Sequence, residues 1–335
     1  MLVQPLSMSR AKKTLLYSIK AGKNVCLVGR PGIGKSDIGL QLCDELAYDR
    51  IHFSAPSSDP TDLKGFPYFL NGEARMAPFN DLAAILSVKK KTIVIIDDVG
   101  QATMAVQNGL MQLLHGEHVG GHLIDRSNLC FFLTTNRLED KAGVTGWNAA
   151  LGNRMAIYHV DFELETWIDW AISAGVTTET IAFNKFRGHL LQPPARLPFI
   201  PDITPRSVTF FDDVYRQGID RDYLFDVCSG FLGGGYAAEF ASFVDMFGEI
   251  PTKEEVLMSP DKARVPETMD GKYAVALMLS RGMDNGNMDA TTTYLDRLPK
   301  EFDVMAMMRA TTATQKLTKT KAFQQWAIKN SKTIV

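Results

Sequence analysis

The residues best suited to chemistry lie at positions 29–36, which read Gly-Arg-Pro-Gly-Ile-Gly-Lys-Ser. They fit G-x-x-x-x-G-K-[ST], the pattern of a phosphate-binding loop. Glycines let backbone N–H groups face a phosphate, and the start of a following helix adds partial positive charge. Lys35 can reach the β- and γ-phosphates of a nucleotide, and Ser36 can ligate Mg²⁺. The predicted nucleotide-binding residues are Gly29, Arg30, Pro31, Gly32, Ile33, Gly34, Lys35, Ser36 and Asp37.

The segments on either side of this loop decide whether the match is meaningful. Residues 24–28 form a short apolar run that predicts a buried strand. After the loop, Ile38, Leu42 and Leu46 recur every fourth residue, as on one face of a helix. Phosphate binding needs a strand, a glycine-rich loop and a helix in this order, so we favour it over a chance glycine-rich turn.

A pair of carboxylates follows a second apolar run. Residues 92–96 read Thr-Ile-Val-Ile-Ile, which is typical of a parallel strand buried on both faces. The next residues, Asp97 and Asp98, would lie at the crevice where open α/β sheets bind ligands. The pair resembles a Walker B element. In that role Asp97 would hold Mg²⁺ through water, and Asp98 would orient or deprotonate the attacking water.

Two further polar residues flank predicted strands. Asn136 follows an apolar strand at 128–135, and Arg154 precedes a strand at 156–160. Residues 50–55 predict one more strand. Because strands alternate with helices, we expect a parallel sheet with right-handed crossovers.

The composition fits an ordinary globular protein. The 335 residues are 45% hydrophobic and 22% charged, and the formal net charge is −2. The chain lacks the excess of basic residues that would indicate nucleic-acid binding. No apolar run reaches the roughly 18 residues of a membrane span. The N-terminus lacks an apolar signal core, so we expect no export. The four cysteines form no C-x-x-C pair and are typical of reduced, buried thiols in a cytoplasmic protein.

Two segments have an open interpretation. Residues 66–69 read Phe-Pro-Tyr-Phe inside a loop rich in Gly, Asp and Pro, and form either a small core under the loop or an exposed element that grips a partner. His115, His118 and His122 are crowded as in a metal site. Because no cysteine is near and the spacing fits no standard zinc framework, we favour a glycine-rich hairpin with exposed histidines.

Together these motifs resemble those of AAA+ ATPases, and within that group MoxR-like ATPases, which include phage-encoded members. The resemblance rests on residues 29–36, residues 93–98, Asn136 and Arg154. The sequence Asp-Asp-Val-Gly-Gln-Ala at 97–102, followed by Val-Gln-Asn at 106–108, is similar to the MoxR pattern after Walker B. Residues 59–65 are similar to the loop after the second strand in that family.

The resemblance implies three catalytic roles beyond Asp98. Asn136 would be sensor 1, which helps to position the attacking water. Arg154 would be an arginine finger that reaches a neighbouring subunit's γ-phosphate, unless it forms only a surface salt bridge. Arg206, in the sequence Thr-Pro-Arg-Ser at 204–207, would be sensor 2, unless it is a helix-capping surface arginine.

The resemblance also implies how the chain is organised. A P-loop AAA+ domain with a parallel five-stranded sheet flanked by helices would span 1–162, an α-helical lid would span 163–221, and a helical extension of unknown role would span 222–335. Segments near 60–78 and 115–125 would face a ring pore.

The function implied is an ATP- and Mg²⁺-dependent ring motor, with six subunits by resemblance, that acts on a protein partner. In this family the partner is often a protein with a von Willebrand factor A domain. Two alternatives stay open: a DNA-directed motor of the helicase or clamp-loader type, and a monomeric nucleotide-dependent kinase or switch. Asp98 stands where the family usually has Glu, so slow hydrolysis or a nucleotide-switched scaffold is also expected as an alternative.

Overall fold

The computed structural model describes residues 4–140, 142–144, 146–191, 199–247 and 250–330. The chain divides into two compact units, Met1–Trp167 and Ile168–Val335. The first unit contains the strands of the described residues, and the second is helical.

Six strands of the first unit form one parallel sheet. The described residues hold ten strands in all, and the other four pair as two separate hairpins, β4–β5 and β7–β8. In chain order the ten strands are β1 (Leu6–Ser7), β2 (Val25–Val28), β3 (Asp49–Ser54), β4 (Phe66–Leu70), β5 (Glu73–Ala77), β6 (Thr92–Asp97), β7 (His118–Val119), β8 (His122–Leu123), β9 (Leu129–Thr135) and β10 (Ala156–Asp161). The sheet order is β1-β10-β2-β9-β6-β3. The predicted parallel sheet is confirmed, and the structure adds a sixth strand, the two-residue β1, which pairs with β10.

Helices cover both faces of this sheet. The helices of the first unit are α1 (Met8–Lys20), α2 (Lys35–Leu46), α3 (Asn80–Leu86), α4 (Met104–His115) and α5 (Ala149–Gly152). Alternate residues of β6 point to opposite faces: Ile93 and Ile95 pack in one buried cluster with α1 and α2, while Val94 and Ile96 pack in another with α3 and α4. At Gly39 of α2, a Cβ atom would lie 2.9 Å from Phe132, so glycine lets this helix approach the sheet closely.

The second unit packs its helices around aromatic rings. Helix α6 (Leu164–Ser173) crosses the boundary between the units, and the later helices are α7 (Thr178–Phe186), α8 (Pro205–Tyr215), α9 (Leu224–Phe247), α10 (Lys253–Met258), α11 (Met269–Ser280), α12 (Met288–Leu295), α13 (Lys300–Ala313) and α14 (Lys321–Asn330). Phe183 makes edge contacts with Tyr236 and Phe240, which join α7 to α9. None of the helices in the described residues is both long and apolar enough to cross a membrane.

The segment with the open interpretation at 66–69 is exposed. It forms β4, which pairs with β5 in an antiparallel hairpin. Phe66 is 61% exposed and Phe69 is 81% exposed, so these residues do not form a small core under the loop. A two-stranded ribbon without a buried face has little stability of its own.

The histidine-rich segment forms the second hairpin, β7–β8. Within the described ranges, no three His, Cys, Asp or Glu residues are grouped so that they could hold a metal ion. His122 Nε2 instead lies 2.7 Å from the carbonyl oxygen of Met76, so the two hairpins are in contact.

Arg126 fastens the second hairpin to the end of α4. Its guanidinium donates hydrogen bonds to the carbonyl oxygens of Leu113, Leu114 and Gly116, each at 2.7 Å. Burial lowers the pKa of this guanidinium. These carbonyls lie at the C-terminal end of α4, where intrahelical partners are missing.

We expect Arg126→Ala to lower the free energy of unfolding by about 1.5–3 kcal/mol, because three carbonyls lose a charged donor. Denaturant unfolding measures this loss. Arg75→Ala is the matched control: Arg75 pairs with Glu73 on the surface at 3.0 Å, a contact worth at most about 1 kcal/mol. If the two substitutions lowered the free energy of unfolding equally, the hydrogen bonds of Arg126 to the end of α4 would not stabilise the fold.

Candidate functional site

The glycine-rich loop connects β2 to α2 at the carboxyl end of the sheet. Gly32 and Gly34 have φ values of 73° and 92°, which favour glycine. The N–H of Gly29 donates to the carbonyl oxygen of Thr135 at 3.2 Å. A Cβ atom at Gly29 would lie 2.7 Å from the carbonyl oxygen of Val160, so this position also excludes larger residues. The loop is thereby fixed between the ends of β9 and β10.

Lys35 begins α2, and its side chain turns back across the loop. It is only 6% exposed. Its ammonium group donates to the carbonyl oxygens of Gly29 at 3.0 Å and Arg30 at 2.7 Å, and to Asn136 Oδ1 at 2.8 Å. The positive charge is therefore held inside the curve of the loop.

Asp97 ends β6, and three side chains from other elements converge on its carboxylate. Ser36 donates to Oδ1 at 2.6 Å, and Thr134 donates to the same oxygen at 2.9 Å. His52 Nε2 lies 2.6 Å from the other oxygen, Oδ2. The two residues that the sequence predicts as metal ligands, Ser36 and Asp97, are therefore in direct contact.

Asp98 has a left-handed backbone with φ of 56°. This conformation is uncommon outside glycine, although Asp and Asn adopt it more readily than other residues. Asn136 Nδ2 donates to Asp98 Oδ1 at 3.2 Å. Since Asn136 Oδ1 accepts from Lys35, one amide links the buried ammonium group to the second carboxylate.

These side chains fit a nucleotide with Mg²⁺. The hydroxyl of Ser36 and the carboxylate of Asp97 are oxygen donors, the class that Mg²⁺ prefers. The loop offers a lysine, glycines with positive φ and the start of a twelve-residue helix, which together suit a phosphate chain. The structure thus brings Lys35, Ser36, Asp97, Asp98 and Asn136 into one hydrogen-bonded network.

Arg154 lies between α5 and β10, away from that network. Its Nη1 donates to the carbonyl oxygen of Ala150 at 2.5 Å. Its Nε is buried and has no hydrogen-bond partner among the described residues. No ion pair of Arg154 occurs within the same ranges, so the surface salt bridge that was the alternative to an arginine finger has no support there.

Arg206 belongs to the second unit, where it is exposed in the first turn of α8. The N-terminus of this helix is capped by Thr204 and Ser207, whose side chains bond reciprocally to each other's backbone N–H groups. A cation at a helix N-terminus is unfavourable. Arg206 is therefore not the cap of α8, and its predicted sensor 2 role stays a prediction.

Sequence reasoning missed two groups beside the network. One is the pair of side chains from His52 and Thr134 that contact Asp97. The other is an ion pair in which Arg30 Nε lies 3.0 Å from Asp161 Oδ1. Thr134 could have been predicted from the sequence, because it is a polar residue at the end of a buried strand. The contacts of His52 and Arg30 could not, because they depend on which strands are neighbours in the sheet.

Arg137, next to Asn136, is anchored by Asp140. Its Nε and Nη2 donate to the two carboxylate oxygens at 2.9 Å and 2.6 Å. Burial raises the pKa of Asp140, but the hydrogen bonds and charge of Arg137 outweigh it and lower that pKa overall. The turn that carries Asn136 is thus fixed by a charged pair.

Comparison with known proteins agrees with this geometry. Residues 24–155, less than half of the chain, match the family described as AAA domain (dynein-related subfamily). The parallel sheet with its phosphate-binding loop is accordingly an AAA+ P-loop fold, followed by a helical region.

Among solved structures, the chain is similar to the RuvB Holliday junction branch migration motor of Thermotoga maritima, with 15% identity, 90% of each chain covered and a TM-score of 0.40. It is also similar to NtrX from Brucella abortus, with 13% identity, 92% of this chain and 69% of that chain covered, and a TM-score of 0.42. Because both TM-scores lie below 0.5, we infer nothing further from these two structures.

Proposed function

We propose that this chain is an ATP-hydrolysing AAA+ ring motor of the MoxR-like type that remodels or activates a protein partner. The observation that carries the proposal is the network that joins Lys35 to Asp98 through Asn136 and joins Ser36 to Asp97. Binding, metal-holding and water-activating groups would then lie at one end of one sheet. The match of residues 24–155 to an AAA domain supports ATP as the nucleotide.

In this mechanism Lys35 leaves its carbonyl partners to contact the β- and γ-phosphates. Ser36 and Asp97 would hold Mg²⁺, which supplies positive charge to the phosphate oxygens. Asp98 orients a water and accepts its proton, while Asn136 keeps that carboxylate in position. The water oxygen bonds to the γ-phosphorus as the bond from phosphorus to the bridging oxygen of ADP breaks.

The proposed ring follows from Arg154. Its Nε lacks a hydrogen-bond partner in the described part of the chain, and the resemblance assigns it to the γ-phosphate of a neighbouring subunit. A residue that acts on the next subunit requires a heterologous, closed ring, which we propose to be a hexamer. Arg206 keeps the sensor 2 role that the resemblance implies.

The exposed hairpin β4–β5 supports a protein partner. Phe66, Phe69 and Leu70 are apolar and 61%, 81% and 43% exposed, which suits contact with protein better than contact with a phosphate backbone. The net charge of −2 gives a DNA-directed motor no support. A protein with a von Willebrand factor A domain remains the partner class that we propose, in the cytoplasm.

A second candidate is a nucleotide-switched ring with weak hydrolysis. It is favoured by Asp98, whose side chain is one C–C bond shorter than that of Glu, whereas catalytic groups must be placed within about 0.5 Å. Light scattering with and without Mg·ATP, together with phosphate release, separates the candidates. A ring with turnover supports the motor, a ring without turnover supports the switch, and a monomer under all conditions contradicts both.

We expect Lys35→Ala to weaken ATP binding at least about tenfold, because the phosphates lose their buried cation. Equilibrium binding of a fluorescent ATP analogue measures the change. Lys64→Ala, at an exposed lysine outside the loop, is the matched control. If Lys35→Ala bound ATP as tightly as the control, the glycine-rich loop would not be the nucleotide site.

A further inference from the structure

His52 occupies a place in the sheet from which its side chain reaches the end of a neighbouring strand. It lies on β3, which pairs in parallel with β6, and Ser54 is the residue in register with Asp97. Because alternate residues of a strand share a face, His52 projects to the same side as Ser54. Its ring spans about 6–7 Å along the strands, two residues at ~3.3 Å each, to meet the carboxylate.

The contact completes the hydrogen bonding of the Asp97 carboxylate. Oδ1 already accepts hydrogen bonds from Ser36 and Thr134. Oδ2 lies 2.6 Å from His52 Nε2. Since an ionised carboxylate can only accept, Nε2 must carry the hydrogen in this contact. The imidazole therefore fixes the rotation of the carboxylate from the side opposite to the hydroxyl groups.

A role in core packing does not explain His52. Its side chain is 39% exposed, while that of Asp97 is 18% exposed. Its strand, β3, is an edge strand of the sheet. Removing a half-exposed ring from an edge strand costs little in buried surface, so the local effect on Asp97 is separable from an effect on folding.

We propose that His52 is a positioning residue for the divalent cation: it holds the Asp97 carboxylate in the orientation that binds Mg²⁺ at the nucleotide site. This inference rests on the proposed function, because it assumes that Ser36 and Asp97 hold the cation. Ser36 can ligate Mg²⁺ through a lone pair of its hydroxyl oxygen when the cation binds and still donate its hydrogen to Oδ1 of Asp97. His52 and Thr134 also orient the carboxylate in that state. Partners of this kind typically change metal affinity by about 10–100-fold when removed.

The variants His52→Ala, His52→Asn and His52→Gln separate a hydrogen bond from a mere change of side chain. Gln can extend an N–H donor nearly as far as the imidazole, whereas Asn is one carbon shorter and Ala has no donor. His115→Ala, at an exposed histidine that ends α4, is the matched control. Binding of a slowly hydrolysed ATP analogue is measured at increasing Mg²⁺ and, separately, in EDTA, with thermal unfolding as a check on folding.

We expect His52→Ala and His52→Asn to raise the half-saturating Mg²⁺ concentration about tenfold. His52→Gln and His115→Ala should stay close to the unaltered protein, and nucleotide affinity in EDTA should be the same for all. An unchanged Mg²⁺ requirement in His52→Ala overturns the inference while leaving the proposed function intact. A loss in EDTA that equals the loss in Mg²⁺ also overturns it, because the effect is then not on the cation.

A measurement without nucleotide separates the two proposals. With ¹⁵N-labelled histidine, long-range ¹H–¹⁵N spectra should show His52 with its hydrogen on Nε2, and Asp97→Ala should shift that nitrogen while leaving the His115 signals in place. In the binding experiments with the ATP analogue, failure of the nucleotide to bind the unaltered protein would overturn the proposed function and this inference with it. The absence of any shift on Asp97→Ala would overturn the inference alone.

Discussion

Replacing Arg154 with alanine should lower ATP turnover by at least about 10³-fold while nucleotide affinity stays within about twofold of the unaltered protein. The guanidinium contacts only the carbonyl oxygen of Ala150 among its described hydrogen bonds, and its Nε is buried with no partner in those ranges. In the proposed mechanism Arg154 neutralises charge that develops on the γ-phosphate in the transition state and not in the bound substrate. Its removal would therefore slow hydrolysis and leave nucleotide affinity unchanged. Phosphate release and equilibrium ATP binding measure the two quantities.

Mixed rings give a sharper result, because the proposed finger and the site that it serves belong to different subunits. A Lys35→Ala subunit keeps its Arg154, and an Arg154→Ala subunit keeps its nucleotide loop. When equal amounts are mixed, roughly one quarter of the interfaces join an intact site to an intact finger. Turnover should therefore reappear on mixing two inactive variants.

The control for this experiment is Arg50→Ala, since Arg50 is a half-exposed arginine whose pair with Asp44 spans 3.9 Å. Its turnover should match that of the unaltered protein. If Arg154→Ala rings turned over normally, Arg154 would be no finger. If they were inactive but did not complement Lys35→Ala, Arg154 would act within its own subunit.

The parts of the fold that could be predicted are those whose signals are local in sequence. The glycine-rich loop is recognisable from the motif at residues 29–36. Strands β6 and β9 are recognisable as continuous apolar runs, because both faces of each strand are covered. The hairpin β4–β5 gave no strand signal, since it buries neither face and so shows no alternation of apolar and polar residues. The two-residue β1 is too short to leave any periodic pattern.

The site divides in the same way. Lys35, Ser36, Asp97, Asp98 and Asn136 each follow a recognisable run, and parallel strands bring their carboxyl ends to one edge. His52 contacts Asp97 across 45 positions of sequence because β3 and β6 are neighbours in the sheet. The order of strands in a sheet cannot be predicted from any single segment of the sequence. The left-handed backbone of Asp98 is likewise a property of the turn after β6 and not of its residue type alone.

Replacing Asp98 with asparagine should lower turnover by about 10²–10⁴-fold and leave ATP binding and ring assembly intact. The substitution replaces one heavy atom, a carboxylate oxygen, by the nitrogen of an NH₂ group. Asparagine can still accept the hydrogen bond from Asn136 Nδ2, now 3.2 Å from Asp98 Oδ1, and it tolerates φ of 56° at least as well as Asp. What is lost is the basic oxygen that accepts the proton of the attacking water in the proposed mechanism. Phosphate release under saturating Mg·ATP measures the loss, and full turnover in this variant would show that Asp98 is not the base.

The reverse substitution, Asp98→Glu, tests why the shorter acid stands at this position. Glutamate would carry its carboxylate about one C–C bond further, well beyond a positioning tolerance of about 0.5 Å. It would also adopt the left-handed backbone less readily than Asp, because that conformation costs most L-residues about 1–2 kcal/mol and the short side chain of Asp reduces the cost. We therefore expect Asp98→Glu to turn over more slowly than the unaltered protein, because the turn after β6 and the contact with Asn136 are built for aspartate. Faster turnover in the Glu variant would instead identify the chain as a ring in which the short acid restrains hydrolysis, and would favour the nucleotide-switched scaffold over the motor.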